Sequence, residues 1–198
     1  FHIVSLSGDL LAVAAKGESS NQSTITNGAT ASADNSFYPS GAVYIYKRTA
    51  AIWVQEAYIK ASNNEAASED FGAGLSLAGD TLAVGASSEY SNETTITNGT
   101  IGSLDNSLAG SGAVYIYRRS QAGWAQEAYI KAVNNQLSGL SFGEAVSLSG
   151  DTLAVGATGE SSNQSTITNG ATANLTTTKA NSGAVYVYKR TGVLWAQE

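Results

Sequence analysis

The chain contains 198 residues, with 10 Lys and Arg against 16 Asp and Glu, which gives a formal net charge of −6. It has no Cys, no Met and a single His, His2, so cysteine nucleophiles, disulfides, cysteine zinc sites and imidazole clusters are excluded. The acidic charge argues against nucleic-acid binding, and no apolar run reaches the roughly 18 residues of a membrane-spanning helix. Charged residues make up only 13% of the chain, whereas Ser, Thr, Asn and Gly are abundant, as is typical of extracellular β proteins. This composition favours a scaffold over an enzyme.

The sequence repeats itself three times at a constant spacing of 71 residues. Residues 76–86 recur as residues 147–157 and, slightly altered, as residues 5–15. A Gly-Ala-Val-Tyr segment and a Trp that stands one residue before a Gln-Glu pair recur at the same spacing. The third copy stops before a segment equivalent to residues 128–142, which includes a predicted strand. We therefore expect the sequence to be a window from a longer repeat array.

Each copy contains four short β signals bounded by turn residues, described here in chain order for the middle copy. Residues 74–77 alternate polar with apolar and end at a tight Ala-Gly-Asp turn. Residues 82–86 are uniformly small and apolar, which suits a strand that is packed on both faces. Residues 113–117 alternate aliphatic with aromatic, so their Val and Ile face one way and their Tyr residues the other. A fourth strand is predicted from about residue 124 to 131, and no segment has a helical period.

Four antiparallel strands at a fixed period are the signature of a β-propeller blade, a small sheet that buries its faces only by stacking on its neighbours. The predicted fold is therefore all-β, with one four-stranded antiparallel blade in each 71-residue repeat. The predicted blades are residues 1–70, with the start cut off, residues 71–141, and residues 142–198, with the last strand missing. Together they form a fragment of a longer array.

The Gly-containing motifs resemble the FG-GAP repeat, the unit of the integrin α-subunit β-propeller. Phe71-Gly72 leads to Gly85-Ala86, and Phe142-Gly143 leads to Gly156-Ala157, as in bacterial and environmental FG-GAP arrays. The Pro of the Gly-Ala-Pro element is absent from every copy. The Asp-rich calcium loop of the integrin units is reduced here to a short turn with one carboxylate. One carboxylate cannot supply the six to eight oxygens that calcium takes, so the metal site of the family is not transferred.

A long connection of about 25 residues separates the second and third predicted strands, and loops of this length are usually functional or structured in their own right. Each copy contains Thr-Ile-Thr-Asn-Gly, at residues 24–28, 95–99 and 166–170. Asn-Gly after a β-branched run is a strong hairpin signal because both residues tolerate the positive φ of a type I′ turn. We predict a small extra hairpin in each blade, with a disordered loop as the alternative.

The connection between the second and third predicted strands also contains candidate ligands for a metal ion. Acidic and amide side chains recur in the first two copies and in part in the third, and oxygen ligands of this kind suit calcium. They are Glu18, Asn21, Asp34, Asn35, Glu89, Asn92, Asp105, Asn106, Glu160 and Asn163. Capping of turns by these side chains explains them without an ion. The prediction is no cofactor, with calcium as the alternative.

Five Asn-x-Ser/Thr sequons are candidate glycosylation sites in a secreted protein: Asn21, Asn92, Asn98, Asn163 and Asn174. In a chain this rich in Asn, Ser and Thr, several sequons also arise by chance.

Aromatic residues at repeated positions are predicted to form the core between blades, and a surface that stacks on carbohydrate is the alternative. The predicted core residues are Trp53, Trp124, Trp195, Tyr44, Tyr46, Tyr115, Tyr117, Tyr186, Tyr188, Phe71 and Phe142.

These observations favour a non-enzymatic, extracellular or cell-surface module with a structural or adhesive role. The alternative is a lectin-like propeller with one ligand site in each blade. An enzyme ranks third because near-identical units leave no asymmetric set of nucleophile, base and orienting group. The expected partners are further copies of the repeat, within one chain or between chains, and a protein or glycan ligand, but neither nucleic acid nor a membrane interior. The copies would form either a longer closed propeller or an open array or filament.

Overall fold

The computed structural model describes residues 3–64, 69–136 and 138–198, so His2 lies outside the described residues. The described part of the chain contains β-strands, turns and loops, and no helix. The first sheet contains β1 (Val4–Ser7), β2 (Leu10–Ala15), β3 (Thr26–Asn27), β4 (Ala42–Thr49) and β5 (Ile52–Ile59). The second contains β6 (Phe71–Ala78), β7 (Thr81–Ala86), β8 (Ile96–Asn98), β9 (Ala113–Ser120) and β10 (Gly123–Ile130). The third contains β11 (Phe142–Ser149), β12 (Thr152–Ala157), β13 (Ala184–Thr191) and β14 (Leu194–Gln197).

All three sheets are antiparallel, and their first four strands follow the same order, to which β3 and β8 add a fifth strand in the first two sheets. The orders are β1-β2-β4-β5-β3, β6-β7-β9-β10-β8 and β11-β12-β13-β14. The four strands predicted for the middle copy correspond to β6, β7, β9 and β10. Gly79 has a φ of 55° in the turn between β6 and β7, a conformation that glycine adopts without a steric cost. The all-β, antiparallel part of the sequence prediction is confirmed.

The predicted extra hairpin is wrong in the described residues. β3 and β8 are single short strands that pair with the outer edges of β5 and β10, and neither has a hairpin partner within its own connection. Gly28 and Gly99 have positive φ, but Asn27 and Asn98 do not, so the type I′ turn is not formed. Residues 166–170 of the third copy form no strand. The Thr-Ile-Thr-Asn segment instead covers a sheet edge that would otherwise have unpaired backbone groups.

The middle sheet buries both of its faces. Tyr115 and Tyr117 of β9 belong to a cluster with side chains of the first sheet, whereas Val114 and Ile116 belong to a cluster with side chains of the third. This is the alternation predicted from the sequence, since successive side chains of a strand point to opposite faces. The first cluster joins the first and second sheets, and the second cluster joins the second and third.

The sheets approach each other most closely at their first two strands. β6 contacts β1 and β2 of the first sheet, and β11 contacts β6 and β7 of the second. A Cβ atom added to Gly85 in β7 would overlap the carbonyl oxygen of Gly143 in β11, and one added to Gly74 would lie 2.6 Å from the same oxygen. Glycine is required at these positions because another backbone occupies the space of a side chain.

The effect of filling that space can be tested with a matched pair of substitutions. Gly85→Ala should destabilise the fold by about 1–3 kcal/mol, because the new methyl group forces the second and third sheets apart. Gly156→Ala is the control, since it changes the equivalent sequence position but its Cβ would meet Ala145 at ordinary contact distances, the Cβ at 3.5 Å and the carbonyl oxygen at 3.8 Å. Thermal unfolding should therefore show a lower Tm for Gly85→Ala and an unchanged or slightly higher Tm for Gly156→Ala. Equal losses in the two variants would contradict the close contact.

Candidate interaction site

The Phe of each Phe-Gly element packs on the tyrosines of its own sheet. The Phe71 ring centroid lies 5.4 Å from that of Tyr115 and 6.3 Å from that of Tyr117, and both contacts are edge-to-face. Phe142 makes the corresponding contacts with Tyr186 and Tyr188, also at 5.4 and 6.3 Å. Edge-to-face pairs are favoured by the ring quadrupoles and fix the relative orientation of the side chains.

The structure places most of the predicted core aromatics inside the stack of sheets. Buried ones are Phe71, Phe142, Tyr115, Tyr117, Tyr186, Tyr188, Trp124 and Trp195. Tyr44 and Tyr46 of the first sheet are half-buried, and Trp53 is 40% exposed. Trp53 differs from Trp124 because the described residues include no sheet on the outer side of the first sheet. The buried rings are not available as a flat surface for stacking on a sugar.

A carboxylate of the first sheet binds two side chains of the second, an arrangement that we call the Trp–Glu contact. Glu56 of β5 accepts hydrogen bonds from Arg119 Nε and Nη2 at 2.8 and 2.7 Å, a bidentate ion pair. The indole Nε1 of Trp124 donates to the same carboxylate at 3.1 Å. Beside it, the Asn27 side chain accepts from Trp124 N at 2.8 Å and donates to Trp124 O at 3.2 Å. The Asn27 side chain thus satisfies the backbone N–H and C=O of Trp124 in the way that a neighbouring strand would.

The Trp–Glu contact occurs again between the second and third sheets. Glu127 accepts from Trp195 Nε1 at 2.9 Å and from Arg190 Nη1 at 3.2 Å. Asn98 accepts from Trp195 N at 2.8 Å and donates to Trp195 O at 3.4 Å. The Trp-x-Gln-Glu segment therefore has two roles, because its Trp receives a carboxylate from one neighbouring sheet and its Glu supplies one to the other.

The environment of Glu56 favours its ionised form. Burial opposes ionisation, but hydrogen bonds from Arg119 and Trp124 outweigh this effect and hold the pKa of Glu56 below its usual range. Arg119 makes two charge-assisted hydrogen bonds to the Glu56 carboxylate, and such a bidentate pair is stronger and more directional than a single hydrogen bond. The contact consequently depends on pH.

The first and second sheets each contain a buried ion pair, which we call the acid–lysine cluster. In the second sheet Lys131 Nζ lies 2.5 Å from Glu89 Oε2 and donates to Ser111 Oγ at 2.7 Å. Tyr129 OH donates to Glu89 Oε1 at 2.8 Å and lies 2.7 Å from Ser91 Oγ. Burial lowers the pKa of Lys131, and the attraction of Glu89 opposes that shift. In the first sheet Lys60 Nζ lies 2.7 Å from Glu18 Oε2.

An asparagine from the preceding sheet connects these clusters across the interface. Asn63, in the loop after β5, donates to Glu89 Oε1 at 3.2 Å, and its Oδ1 accepts from Tyr115 OH at 2.5 Å. Asn134 makes the same two contacts with Glu160 and Tyr186 at 3.1 and 2.5 Å. The sequence interpretation missed these lysines and asparagines. The available signal was the recurrence of Lys-Ala-x-Asn-Asn at residues 60–64 and 131–135.

The candidate calcium ligands fall into separate hydrogen-bond sets. Glu18, Glu89 and Glu160 belong to the acid–lysine clusters or their equivalent. Asp34 accepts from Asn21 N at 2.9 Å and from Ser36 Oγ at 2.8 Å, and Asp105 caps residues around Ser107 in a similar way. Within residues 3–64, 69–136 and 138–198, no three acidic or imidazole side chains are grouped as metal ligands.

The sequon asparagines are not equivalent. Asn21, Asn92 and Asn163 are exposed, and Asn174 is half-buried and donates to Asn163 Oδ1 at 3.1 Å. Asn98 is also exposed, but its amide nitrogen, the atom that a glycan would occupy, donates to Trp195 O. Its side chain is already used in the contact between the second and third sheets.

Comparison with known families identifies one segment of the chain. Residues 124–188 match the family model described as FG-GAP repeat. This segment is an FG-GAP repeat. It begins in β10 and ends in β13, so the matched unit joins the fourth strand of one sheet to the first three strands of the next. The resemblance stated for Phe142-Gly143 and Gly156-Ala157 is confirmed by this match.

A further comparison and the properties of the matched family bear on the function of the chain. No curated protein sequence matches the chain. FG-GAP repeats are typically non-enzymatic and typically belong to extracellular domains. Among the residues that the structure describes, no helix is long and apolar enough to cross a membrane.

Removing the charge of Glu56 should weaken the contact between the first two sheets. Because the Glu56 and Arg119 side chains are about a quarter exposed, we expect Glu56→Gln to cost about 1 kcal/mol, less than a fully buried charged pair. This corresponds to a fall in Tm of about 2–4 °C for a chain of this size. The control is Glu144→Gln, which neutralises an exposed carboxylate that accepts a hydrogen bond from Thr158 Oγ1. Because the Gln side-chain oxygen keeps this acceptor, the control should leave Tm unchanged.

The effect of Glu56→Gln on Tm should depend on pH. Folding lowers the pKa of Glu56, so its contribution is complete above the unfolded-state pKa and is lost as the pH falls through the folded-state pKa. The difference in Tm between the native chain and Glu56→Gln should therefore be constant near neutral pH and shrink below about pH 4.5. A difference that persists undiminished at pH 2 would show that Glu56 does not act through its charge.

Proposed function

We propose that the chain is a β-propeller-like interaction module in which each sheet is one blade. The blades are residues 1–70, 71–141 and 142–198, and each is an FG-GAP unit of the kind matched at residues 124–188. The proposed role is structural or adhesive and extracellular, and it operates through broad surfaces. The proposal is supported by one observation above all: the chain uses one type of sheet-to-sheet contact twice, and the two halves of that contact are exposed on its outer sheets.

The outer face of the first sheet presents one half of the contact. Val4 and Leu6 of β1 are 62% and 64% exposed, whereas Leu75 and Leu77, in the equivalent positions of β6, are buried against the first sheet. Trp53 and Arg48 lie on this sheet, with the guanidinium 5.5 Å from the indole centroid. In the second sheet the equivalent Trp and Arg bind Glu56. An apolar surface flanked by such donors is typical of an interaction site.

The outer face of the third sheet presents the other half. Val185 and Val187 of β13 are 70% and 37% exposed, whereas Val114 and Ile116 in β9 are fully buried against the third sheet. Asn169 occupies the sequence position of the two asparagines that bind Trp backbone groups, and Glu198 that of Glu56 and Glu127. Both outer faces therefore have exposed apolar side chains, and the Arg48 cation of the first sheet is matched by the Glu198 carboxylate of the third. The partner that fits them best is another sheet of the same kind, in the same chain or in a second copy.

Self-association tests this proposal directly. Sedimentation velocity of the 198-residue chain should show assemblies that grow with protein concentration, because contact of unlike faces is heterologous and repeats. Leu6→Asp, which places a charge on the outer face of the first sheet, should suppress this growth without lowering Tm. Ile101→Asp is the matched control, since Ile101 is also exposed, at 72%, but does not lie on either outer face.

Two results for the native chain and Leu6→Asp would overturn the proposal, and a third concerns the control variant. One is a monomer at every concentration, and the other is equal assembly of Leu6→Asp and the native chain. Suppression of assembly by Ile101→Asp to the same degree would locate the association elsewhere and would also contradict it.

A further inference from the structure

A buried cluster at the interface of the first two sheets brings together a lysine amine, an asparagine amide and a carboxylate. Lys131 Nζ lies 2.5 Å from Glu89 Oε2, and Asn63 Nδ2 donates to Glu89 Oε1 at 3.2 Å. Both nitrogen atoms therefore contact the same carboxylate. Lys131 follows β10 of the second sheet and Asn63 lies in the loop after β5 of the first, so a bond between their side chains would join the two sheets. All three residues are buried.

The carbonyl group of the Asn63 amide is held by a tyrosine hydroxyl. Tyr115 OH donates to Asn63 Oδ1 at 2.5 Å, and Asn63 Nδ2 also donates to Ser103 O at 2.7 Å. A hydrogen bond to the carbonyl oxygen makes Cγ more electrophilic and stabilises the negative charge that develops on Oδ1 when a nucleophile attacks. The Tyr115 ring is buried and packs on that of Tyr129, with centroids 5.2 Å apart. Exclusion of water prevents hydrolysis of the amide from competing with attack by a neighbouring group.

The Lys131 amine lies beside a group that can take its proton. A lysine is a nucleophile only in its neutral form. Burial lowers the pKa of Lys131, and the attraction of Glu89 opposes that shift. The contact with Glu89 Oε2 gives the proton a path, since a general base must lie within hydrogen-bond reach of the proton that it removes. The cluster therefore contains a nucleophile, a base and a polarised carbonyl group.

We propose that Lys131 Nζ reacts with Asn63 Cγ to form an amide cross-link between the first and second sheets, with Glu89 as the catalytic proton carrier. Nζ moves from the carboxylate onto the amide that contacts the same carboxylate. The reaction is internal to the chain and occurs once, so it is a self-modification and not the turnover of a substrate. It goes beyond the proposed interaction module, because it joins two sheets inside the chain and does not depend on what the outer faces bind.

The reaction balances without an oxidant or a reductant. Glu89 takes one proton from the Lys131 ammonium, and the neutral Nζ attacks Asn63 Cγ while Tyr115 OH holds the oxyanion. Glu89 passes its proton to Nδ2, the Cγ–Nδ2 bond breaks and ammonia leaves. Nζ gives its second proton to Glu89, from which the ammonia takes it. The products are a secondary amide and an ammonium ion, and Glu89 returns to its carboxylate form.

Mass spectrometry of the native 198-residue chain tests the cross-link. The intact mass should lie one ammonia below the mass calculated from the sequence. After trypsin digestion, residues 61–118 and 120–179 should be recovered as one branched peptide, because trypsin does not cut after an acylated lysine. A native chain of full mass would overturn the proposal. So would an ammonia loss that fragmentation assigns to an Asn-Gly pair, since such a pair loses ammonia when it closes to a succinimide.

A matched pair of lysine variants identifies the amine. Lys131→Met should have the full mass of its sequence, whereas Lys60→Met should keep the ammonia loss. Each variant removes a buried lysine that is paired with a glutamate, so a loss of stability affects both. An ammonia loss that persists in Lys131→Met would contradict the cross-link. The branched peptide is read from the native chain and does not depend on the folding of either variant.

The rate of cross-linking tests the role of the Tyr115 hydroxyl. In chains made by cell-free synthesis and sampled over time, Tyr115→Phe should form the cross-link about 100-fold more slowly, because the oxyanion loses its donor. Tyr186→Phe is the matched control, since it removes the hydroxyl that donates to Asn134 in the same way, and it should react at the native rate. A structural role of Tyr115 alone would not change this rate while the chain remains folded. Equal rates for Tyr115→Phe and the native chain would contradict its catalytic role.

Discussion

The structure depends on a close approach between neighbouring sheets, at the point where Gly143 of one sheet meets Gly85 of the previous one. Each sheet is too small to bury its apolar residues alone, so both faces of the middle sheet are covered by neighbours. The close backbone contact determines which side chains can meet across the interface. At the same interface Leu148 is buried in the cluster that joins the second and third sheets, and Trp195 of the third sheet donates to Glu127 of the second. Removing the contact at the glycines would therefore affect the apolar core and the polar contacts together.

The polar contacts determine the relative position of the sheets more than they increase stability. In the Trp–Glu contact between the first two sheets, the Glu56 and Arg119 side chains are about a quarter exposed, so the stabilising effect of that ion pair is modest. The acid–lysine cluster of the second sheet is fully buried, and breaking such a pair leaves a costly unpaired charge even though forming it gains little. Asn63 joins a loop of the first sheet to Glu89 of the second. Asn134 makes the corresponding connection from the second sheet to Glu160 of the third, so both interfaces share this hydrogen bond.

The strands of the middle copy could be predicted from the sequence because alternation and turn residues are local signals. The facing of Tyr115 and Val114 followed from the two-residue period of a strand. The acid–lysine cluster could not be predicted in this way, since Lys131 and Glu89 are separated by 42 residues and Asn63 and Glu89 by 26. Local chemistry made Glu89 resemble a turn cap or a calcium ligand. The Asn-Gly segment was misinterpreted because the strand edge beside β10 competes with the hairpin for its backbone.

Hydrogen exchange of the native chain tests most directly whether the sheets form one stack in which each depends on its neighbours. The account predicts the slowest amide exchange in β7 and β9, because the middle sheet is covered on both faces. β4 and β13, whose outer faces are exposed, should exchange faster although their sequences are nearly the same as that of β9. Equal protection of β4, β9 and β13 would mean that each sheet is stable by itself, and that result would contradict the account.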